Sequence, residues 1–463
     1  MRLSLFCHMT VSVALGLSLA ACGGGGGGGS VSNPTPQSYT IGGAVSGLEA
    51  GESVTLANNG ADSTTVSGDT SFTFTTKVNQ SGSYAVTVTT QPNGQTCTVA
   101  SGSGSGVMAN VTSVSVTCTD RPQYAYVVNN SDNTVSQYAI DPSGTLSPLS
   151  VPTVATGHSP QSITIDPSRK YAYVTNLIDN TVSQYVIQSD GSLAPNTPAT
   201  VATGRGPWAV TVSPSGSWAY VANSTDNTIS QFSINASGSL VATSIAPVAT
   251  GVEPWNITLT PNGKYVYVSN HGNTSPGTTV SQFAVDANTG ALTPLNPATV
   301  PILYAYPGGI AVDPTSSYAY LSNIDNHTIS EFAIGSDGAL SSLSPAFVAA
   351  GTEPVYLAFD PTGRYAYGTN YTVDFSAGLG TVSQYAVGSG GQLSPLSPAT
   401  VQAGTGPGWV AFDPFGKFAF VVNLGDGVNP GTVSEYSIGT GGMLTPIGTI
   451  NAGVNAYMIA TAY

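Results

Sequence analysis

The sequence predicts an all-β protein, a seven-bladed β-propeller over residues 122–463 preceded by a small β-sandwich over residues 38–120. Three observations predict it. From Tyr124 onward the chain repeats, with units opening at Tyr124, Tyr171, Trp218, Tyr265, Tyr318, Tyr365 and Phe418, at intervals of 47, 47, 47, 53, 47 and 53 residues. Short segments throughout alternate apolar and polar residues with period two. Charged residues make up only 7% of the chain, and Gly, Ser, Thr, Asn and Pro take their place, as many short strands joined by tight turns require.

The elements follow in chain order. Arg2 precedes an apolar run from Val11 to Leu19, too short to span a bilayer but suited to a signal peptide, here residues 1–21. The run ends in Leu19-Ala20-Ala21-Cys22, which resembles the bacterial lipobox. That pattern implies cleavage before Cys22 and attachment of a diacylglycerol to its thiol, making the membrane a partner through a lipid anchor. Ordinary secretion with an incidental cysteine is the alternative. Gly23 follows where a sorting aspartate would favour the inner membrane, which by resemblance implies the outer membrane of a Gram-negative cell envelope. Residues 22–37, with Gly23 to Gly29 unbroken, read as a flexible tether.

Behind Cys22 only Cys97 and Cys118 remain, and an oxidising compartment makes a disulfide between them the default expectation. Without Arg2 there are eight Lys and Arg against 23 Asp and Glu, so the mature chain carries a charge near −15. Such a chain repels phosphate backbones, which excludes nucleic acid as a partner. Residues 38–120 show the runs Ser53-Val-Thr-Leu, Ser71-Phe-Thr-Phe-Thr, Tyr84-Ala-Val-Thr-Val-Thr and Ser113-Val-Ser-Val-Thr, separated by Gly, Asn and Ser turns. This segment resembles the Ig-like modules of bacterial lipoproteins, and it carries no residue set that suggests chemistry. It reads as a spacer.

Each repeat opens with a strand such as Tyr171-Ala-Tyr-Val-Thr-Asn176, followed by Thr181-Val-Ser-Gln-Tyr185 and, past an Asp190-Gly191 turn, a strand near Ala199. A Gly-x-x-Pro step, Gly204-Arg-Gly-Pro207, then leads into Ala209-Val-Thr-Val, and an Asp-Pro or similar turn closes the unit. Four antiparallel strands per unit make one propeller blade, whose faces neighbouring blades must cover. After the seventh unit Tyr457-Met-Ile-Ala-Thr-Ala-Tyr463 is left to supply the innermost strand of the first blade, closing the ring.

The pair Tyr-Val-Thr-Asn and Thr-Val-Ser resembles the YVTN-type propellers of the lactonase-like group, whose relatives include propeller-type 6-phosphogluconolactonase and carboxymuconate cyclase. The resemblance covers residues 122–463 and implies the propeller fold; the activity it implies is opening of a lactone. Enzymes of that group carry a Pro-Arg-His cluster at the start of an innermost strand. Here the matching positions read Pro160-Gln-Ser, Pro207-Trp-Ala, Pro254-Trp-Asn, Pro307-Gly-Gly, Pro354-Val-Tyr and Pro407-Gly-Trp, and none keeps both Arg and His.

Strand alternation puts the Gly-x-x-Pro steps and the loops between second and third strands on one face, the top, and the Asp-Pro turns beneath. Five basic residues, Arg169, Lys170, Lys264, Arg364 and Lys417, fall in the underside turns, where solubility explains them. His158 and Arg205 fall in top steps, Glu253 and Glu353 stand just before the step proline, and His271 and His327 lie in second-to-third-strand loops. Trp208, Trp255, Tyr306, Tyr356 and Trp409 cluster in or beside the same steps. A few polar groups among aromatic walls describe a small-molecule site at the mouth of the central channel, and simple plugging of the channel is the bland alternative. In a lactonase-type hydrolase, His158 or Glu253 would be the base and Arg205 the charge stabiliser, with Trp208, Trp255, Tyr306, Glu353, Tyr356, Trp409 and His271 as ligand-binding residues.

Three top loops are longer than the rest: His271–Thr279, Tyr371–Thr381 with Asp374 and Phe375, and Leu424–Thr432. Loop length concentrated on one face points to recognition, or to ornament. Seven asparagines (Asn129, Asn176, Asn223, Asn270, Asn323, Asn370 and Asn423) end the second strands, and repetition in every blade assigns them to turn structure rather than to a ligand. No Gly-x-Ser-x-Gly elbow, phosphate loop or metal-ligand motif is present, so no cofactor and no metal are expected. The missing Arg-His cluster and the single top-face arginine favour a binding or interaction module acting through the funnel. Lactone hydrolysis is the alternative, and a glycan stacked on the tryptophans, a small molecule or a protein are the candidate ligands.

Overall fold

The computed structural model describes residues 37–49, 51–92, 94–272, 278–302, 306–371 and 379–462. Cys22, the signal and tether, and Asp374 and Phe375 lie outside them, as do parts of two of the long top loops. Among the described residues every regular element is a β-strand, so no helix there is long enough to cross a membrane.

The N-terminal part folds as two four-stranded sheets about one core. One sheet orders Ser71–Thr73, Ile41–Ser46, Val111–Asp120 and Gln95–Ala100, with a parallel pair between Val111–Asp120 and Ile41–Ser46. The other orders Asp62–Ser67, Ser53–Asn58, Ser83–Thr90 and Ser103–Ser105. Ile41, Val54, Leu56, Phe74 and Val116 fill the space between them. Cys97 and Cys118 face each other across the first sheet and are joined by a disulfide.

Seven further sheets form the blades of the propeller, six of four strands and one, the third, whose outer strand is broken into Leu240–Ala242 and Val248–Ala249. Blade 2 shows the plan, running outward from the axis through Pro160–Ile165, Tyr171–Asn176, Thr181–Ile187 and Leu193–Ala202. The innermost strands of blades 3 to 7 are Pro207–Val212, Pro254–Leu259, Pro307–Val312, Pro354–Phe359 and Pro407–Phe412. Blade 1 takes three strands from its own repeat and its innermost strand, Ala456–Ala462, from the chain's far end, where Tyr124 pairs with Ala462 and Val127 with Ile459.

Second strands are buried on both sides because blades cover both faces, which is why Tyr171-Ala-Tyr-Val-Thr-Asn holds so little polarity. The polar atoms they do bury are answered across the seams. Six buried tyrosines, Tyr126, Tyr173, Tyr220, Tyr267, Tyr320 and Tyr367, each donate from the hydroxyl to a glycine carbonyl of the next blade at 2.5–2.8 Å. Burial pushes their hydroxyl pKa values well up, so they stay donors at any physiological pH. The same glycines lie under the first aromatic of each repeat: a Cβ on Gly191 would stand 2.1 Å from the Tyr124 ring, and its φ is +83°.

The strand-ending asparagines also serve the blades, though not by bonding their own turn. Asn176 Nδ2 donates to the hydroxyls of Thr181 and Ser183 on the neighbouring strand, and its Oδ1 accepts the amide of Gly157 in the step from the previous blade. The Nδ2 bonds recur in all seven blades, in the first as Asn129 to Thr134 and Ser136.

The sandwich meets the underside of the disc. Lys417, expected only to keep a turn soluble, pairs with Glu49 at 2.6 Å, and the Phe415 ring lies against Gly94. Arg169 is likewise half-buried, beside Arg121 at the same junction, and burial lowers its pKa.

Candidate functional site

The top of the channel is built from three residues per blade, fixed by one local geometry. The residue preceding each innermost strand has positive φ: Ser159 (55°), Gly206 (68°), Glu253 (54°), Tyr306 (52°), Glu353 (49°), Gly406 (65°) and Asn455 (53°). Five of the seven are not glycine, a conformation that costs of order 1 kcal/mol each and persists where the surroundings impose it. Here the carbonyl of that residue accepts the amide that follows the strand-ending asparagine, as from His271 to Glu253 and from Tyr371 to Glu353, both at 2.9 Å. A neighbouring blade holds its amide: Asn133 accepts from Ser159, Asn180 from Gly206 and Asn227 from Glu253. In blade 5 His327 stands in for that asparagine, its Nδ1 accepting the Glu353 amide at 2.9 Å, which fixes the proton on Nε2.

Three rings of side chains result: the residue before the step proline, the residue after it, and the residue after the strand-ending asparagine. Where these are large they meet. Tyr457, Trp208, Trp255, His271 and Tyr306 form a continuous chain of rings with successive centroids 6.2, 6.3, 5.8 and 5.1 Å apart. Opposite them Trp409 stacks on Tyr356 at 3.5 Å and 15°. Two adjoining cavities share Trp255. One, of about 300 Å³, is lined by Trp255, Tyr371, Trp409, Tyr457, Ile324 and Leu424, with Val355 and Gly408. The other, of about 510 Å³, is lined by Trp208, Trp255, His271, Glu253, Ser224 and Thr225, with Asn227 and Val252.

The expected site residues divide accordingly. Trp208, Trp255, His271 and Glu253 come together, and Trp409 lines the apolar cavity with Tyr356 stacked behind it. Tyr306 caps the run of rings and is 40% exposed. Among the described residues, Glu353 has one carboxylate oxygen, Oε2, buried without a hydrogen-bond partner.

His158 and Arg205 do not join them. Each occupies the second position of a Gly-x-x-Pro step and turns onto the aspartate of the adjoining loop. His158 Nδ1 lies 2.9 Å from Asp179 and Arg205 Nε 2.7 Å from Asp226, with side chains 69% and 71% exposed. The backbone amides of the same two residues also bond those carboxylates and hold both aspartates below their ordinary pKa. The pairs brace the rim, so neither residue is placed as a base or charge stabiliser in the funnel.

His271 has the geometry that His158 lacks. Its Nδ1 lies 3.2 Å from the Pro307 carbonyl and donates to it, which puts the ring's lone pair on Nε2. Burial of the ring holds its pKa below the ordinary 6.5, against the Pro307 bond and the charges of Glu253 and Asp325. It is a neutral imidazole in an aromatic cavity, able to accept a proton. Tyr457 and Tyr371 have hydroxyl pKa values raised by burial, the second also by the charge of Glu353. Ile324, Tyr371 and Leu424 line the cavity as the residues directly after strand-ending asparagines, and that register could have been read from the repeat.

The sequence profile of the family described as lactonase, 7-bladed beta-propeller, matches residues 115–302 and 274–426. The chain belongs to this family. Among solved structures it is similar to a Bacteroides fragilis protein proposed to be a 6-phosphogluconolactonase, at 20% identity and TM-score 0.62, over 74% of this chain and 99% of that one. It is also similar to the periplasmic gluconolactonase PpgL of Pseudomonas aeruginosa, at 18% identity and TM-score 0.58, over 74% of this chain and 99% of that one. A Lactobacillus plantarum protein matches at 18% identity and TM-score 0.59, with the same coverage. At these identities the likeness is one of fold. No curated protein sequence matches the chain.

Proposed function

We propose that this lactonase-family propeller is a lipid-anchored envelope protein that takes a small molecule into its top funnel. The observation that carries the reading is the unbroken run of rings from Tyr457 to Tyr306 around two adjoining cavities. Aromatic walls with a few polar groups suit a ligand that presents a flat or apolar face and a small polar edge. Among the described residues no lysine or arginine lines either cavity, which argues against a phosphorylated ligand. The lipobox-like Leu19-Ala20-Ala21-Cys22 supports the anchor.

One observation favours a second reading, hydrolysis of a neutral lactone. His271 Nε2 can take a proton from water while the resulting hydroxide adds to the lactone carbonyl; the same proton then passes to the alkoxide released when the ring opens. The gluconolactonase fold of the Pseudomonas neighbour agrees with this reading.

Tryptophan fluorescence of the full chain, titrated with small cyclic ligands, tests the first reading. Quenching is expected in the wild type, with loss of affinity of about tenfold or more in Trp255→Ala. Unquenched emission with every ligand overturns it. A pH-stat screen against unphosphorylated lactones decides the second, since turnover there should fall about a hundredfold or more in His271→Gln.

A further inference from the structure

Among the described residues, the charges that line or act on the two cavities are carboxylates. Glu253 lines the larger cavity beside Trp208, Trp255 and His271. Glu353, one blade beyond Tyr306, keeps a carboxylate oxygen buried and unpartnered, and its charge reaches Tyr371, which lines the smaller cavity. Asp325 adds a third carboxylate within electrostatic reach of His271. His271 is kept neutral and offers a lone pair rather than a positive charge. The single top-face arginine is bound to Asp226 on the rim, and His158 to Asp179. A buried carboxylate oxygen with no donor is costly unless something supplies one. Electron-rich ring faces attract cations, most strongly where water is excluded.

We propose, on the reading that the funnel is a ligand site, that its ligand is an organic cation whose ammonium head sits against Trp208 and Trp255 beside the Glu253 carboxylate in the larger cavity, within the field of Glu353. The rings take the apolar surface of the head, the carboxylates balance its charge, and the about 300 Å³ cavity lined by Tyr457 and Trp409 receives the rest of the molecule. The overall charge of −14 favours the approach of such a ligand.

The test is a fluorescence and calorimetric titration of the full chain with choline, with its uncharged isostere 3,3-dimethylbutan-1-ol, and with glucono-1,5-lactone. Choline is expected to bind about tenfold or more tightly than the isostere, and to weaken about fivefold or more in Glu253→Gln and in Glu353→Gln. Each substitution preserves shape, and an unchanged circular dichroism spectrum certifies the fold. Equal binding of choline and the isostere, or glutamine variants as tight as wild type, overturns the proposal. Quenching by the lactone alone overturns the cation and leaves the funnel reading standing; silence with all three ligands removes both.

Discussion

Glu331 occupies a position that five other blades give to glutamine. In those blades the amide of Gln137, Gln184, Gln231, Gln282 or Gln384 accepts a leucine N–H of the next blade and donates to a carbonyl on the outer edge of its own blade. Glu331 keeps the first bond, to Leu393 at 2.6 Å, but its Oε2 is buried without a partner and can donate only when protonated. Burial accordingly raises its pKa above the ordinary 4.5, opposed by the Leu393 bond. Between those two values the folded chain holds a proton that the unfolded chain has released. Stability from this group is therefore complete below pH 4.5 and is lost as pH rises through the raised folded value. Glu331→Gln should raise stability at pH 8 by about 1 kcal/mol and leave it nearly unchanged at pH 4, read by urea unfolding at the two pH values. A gain of the same size at pH 4 would show that charge is not the cause. Such residues also mark where the sequence stops being legible. Glu253 and His271 could be assigned to the funnel because the repeat places them there. That Arg205 and His158 turn outward could not, because their direction depends on Asp226 and Asp179, 21 residues away in each case.

At the scale of elements the blade seam is the unit of stability. Six seams carry a buried tyrosine-to-glycine hydrogen bond, and the seventh has Phe420 at the corresponding place, with Gly144 opposite under the Phe418 ring. Tyr173→Phe should lower the unfolding free energy by about 1 kcal/mol, because it strands the Gly238 carbonyl without a donor. Phe420→Tyr should raise it by about 0.5–1 kcal/mol by supplying the missing bond, as denaturant midpoints will show. Gly191→Ala should cost more than either, about 2 kcal/mol or above, since the methyl meets Tyr124 and a positive φ is lost. Blade strands were readable because aromatic, valine and asparagine positions recur at fixed spacing. The sandwich is legible in the sequence only in part. Ile41–Ser46, Asp62–Ser67, Gln95–Ala100 and Ser103–Ser105 are strands too, but glycine, serine and threonine carry them, and their pairing rather than their composition makes them β.

For the whole molecule the repeat dictated a closed ring, and Ala456–Ala462 closes it. Removing residues 456–463 should expose the inner edge of Gln123–Asn129 and uncover Ile459's neighbours Ala125 and Val127 in the core. Size-exclusion chromatography should then show aggregates, and the main unfolding transition should broaden or shift to lower denaturant. A truncated chain that stays monomeric with an unchanged midpoint would deny the closing strand its role.

The same closure orders events in time. A polypeptide emerges from a ribosome or a secretion pore from its N-terminus, so the strands of blade 1 appear first and their last partner appears at the end. Tyr138 waits for the carbonyl of Asn451, 313 residues later, and the inner edge beside it stays unpaired for as long. Six blades can stack during that interval, but the funnel has no complete wall until Tyr457 arrives with the closing strand. On the proposed reading of the funnel, an unfinished chain lacks the wall its ligand needs, because Tyr457 reaches the cavity only with the strand that shuts the ring.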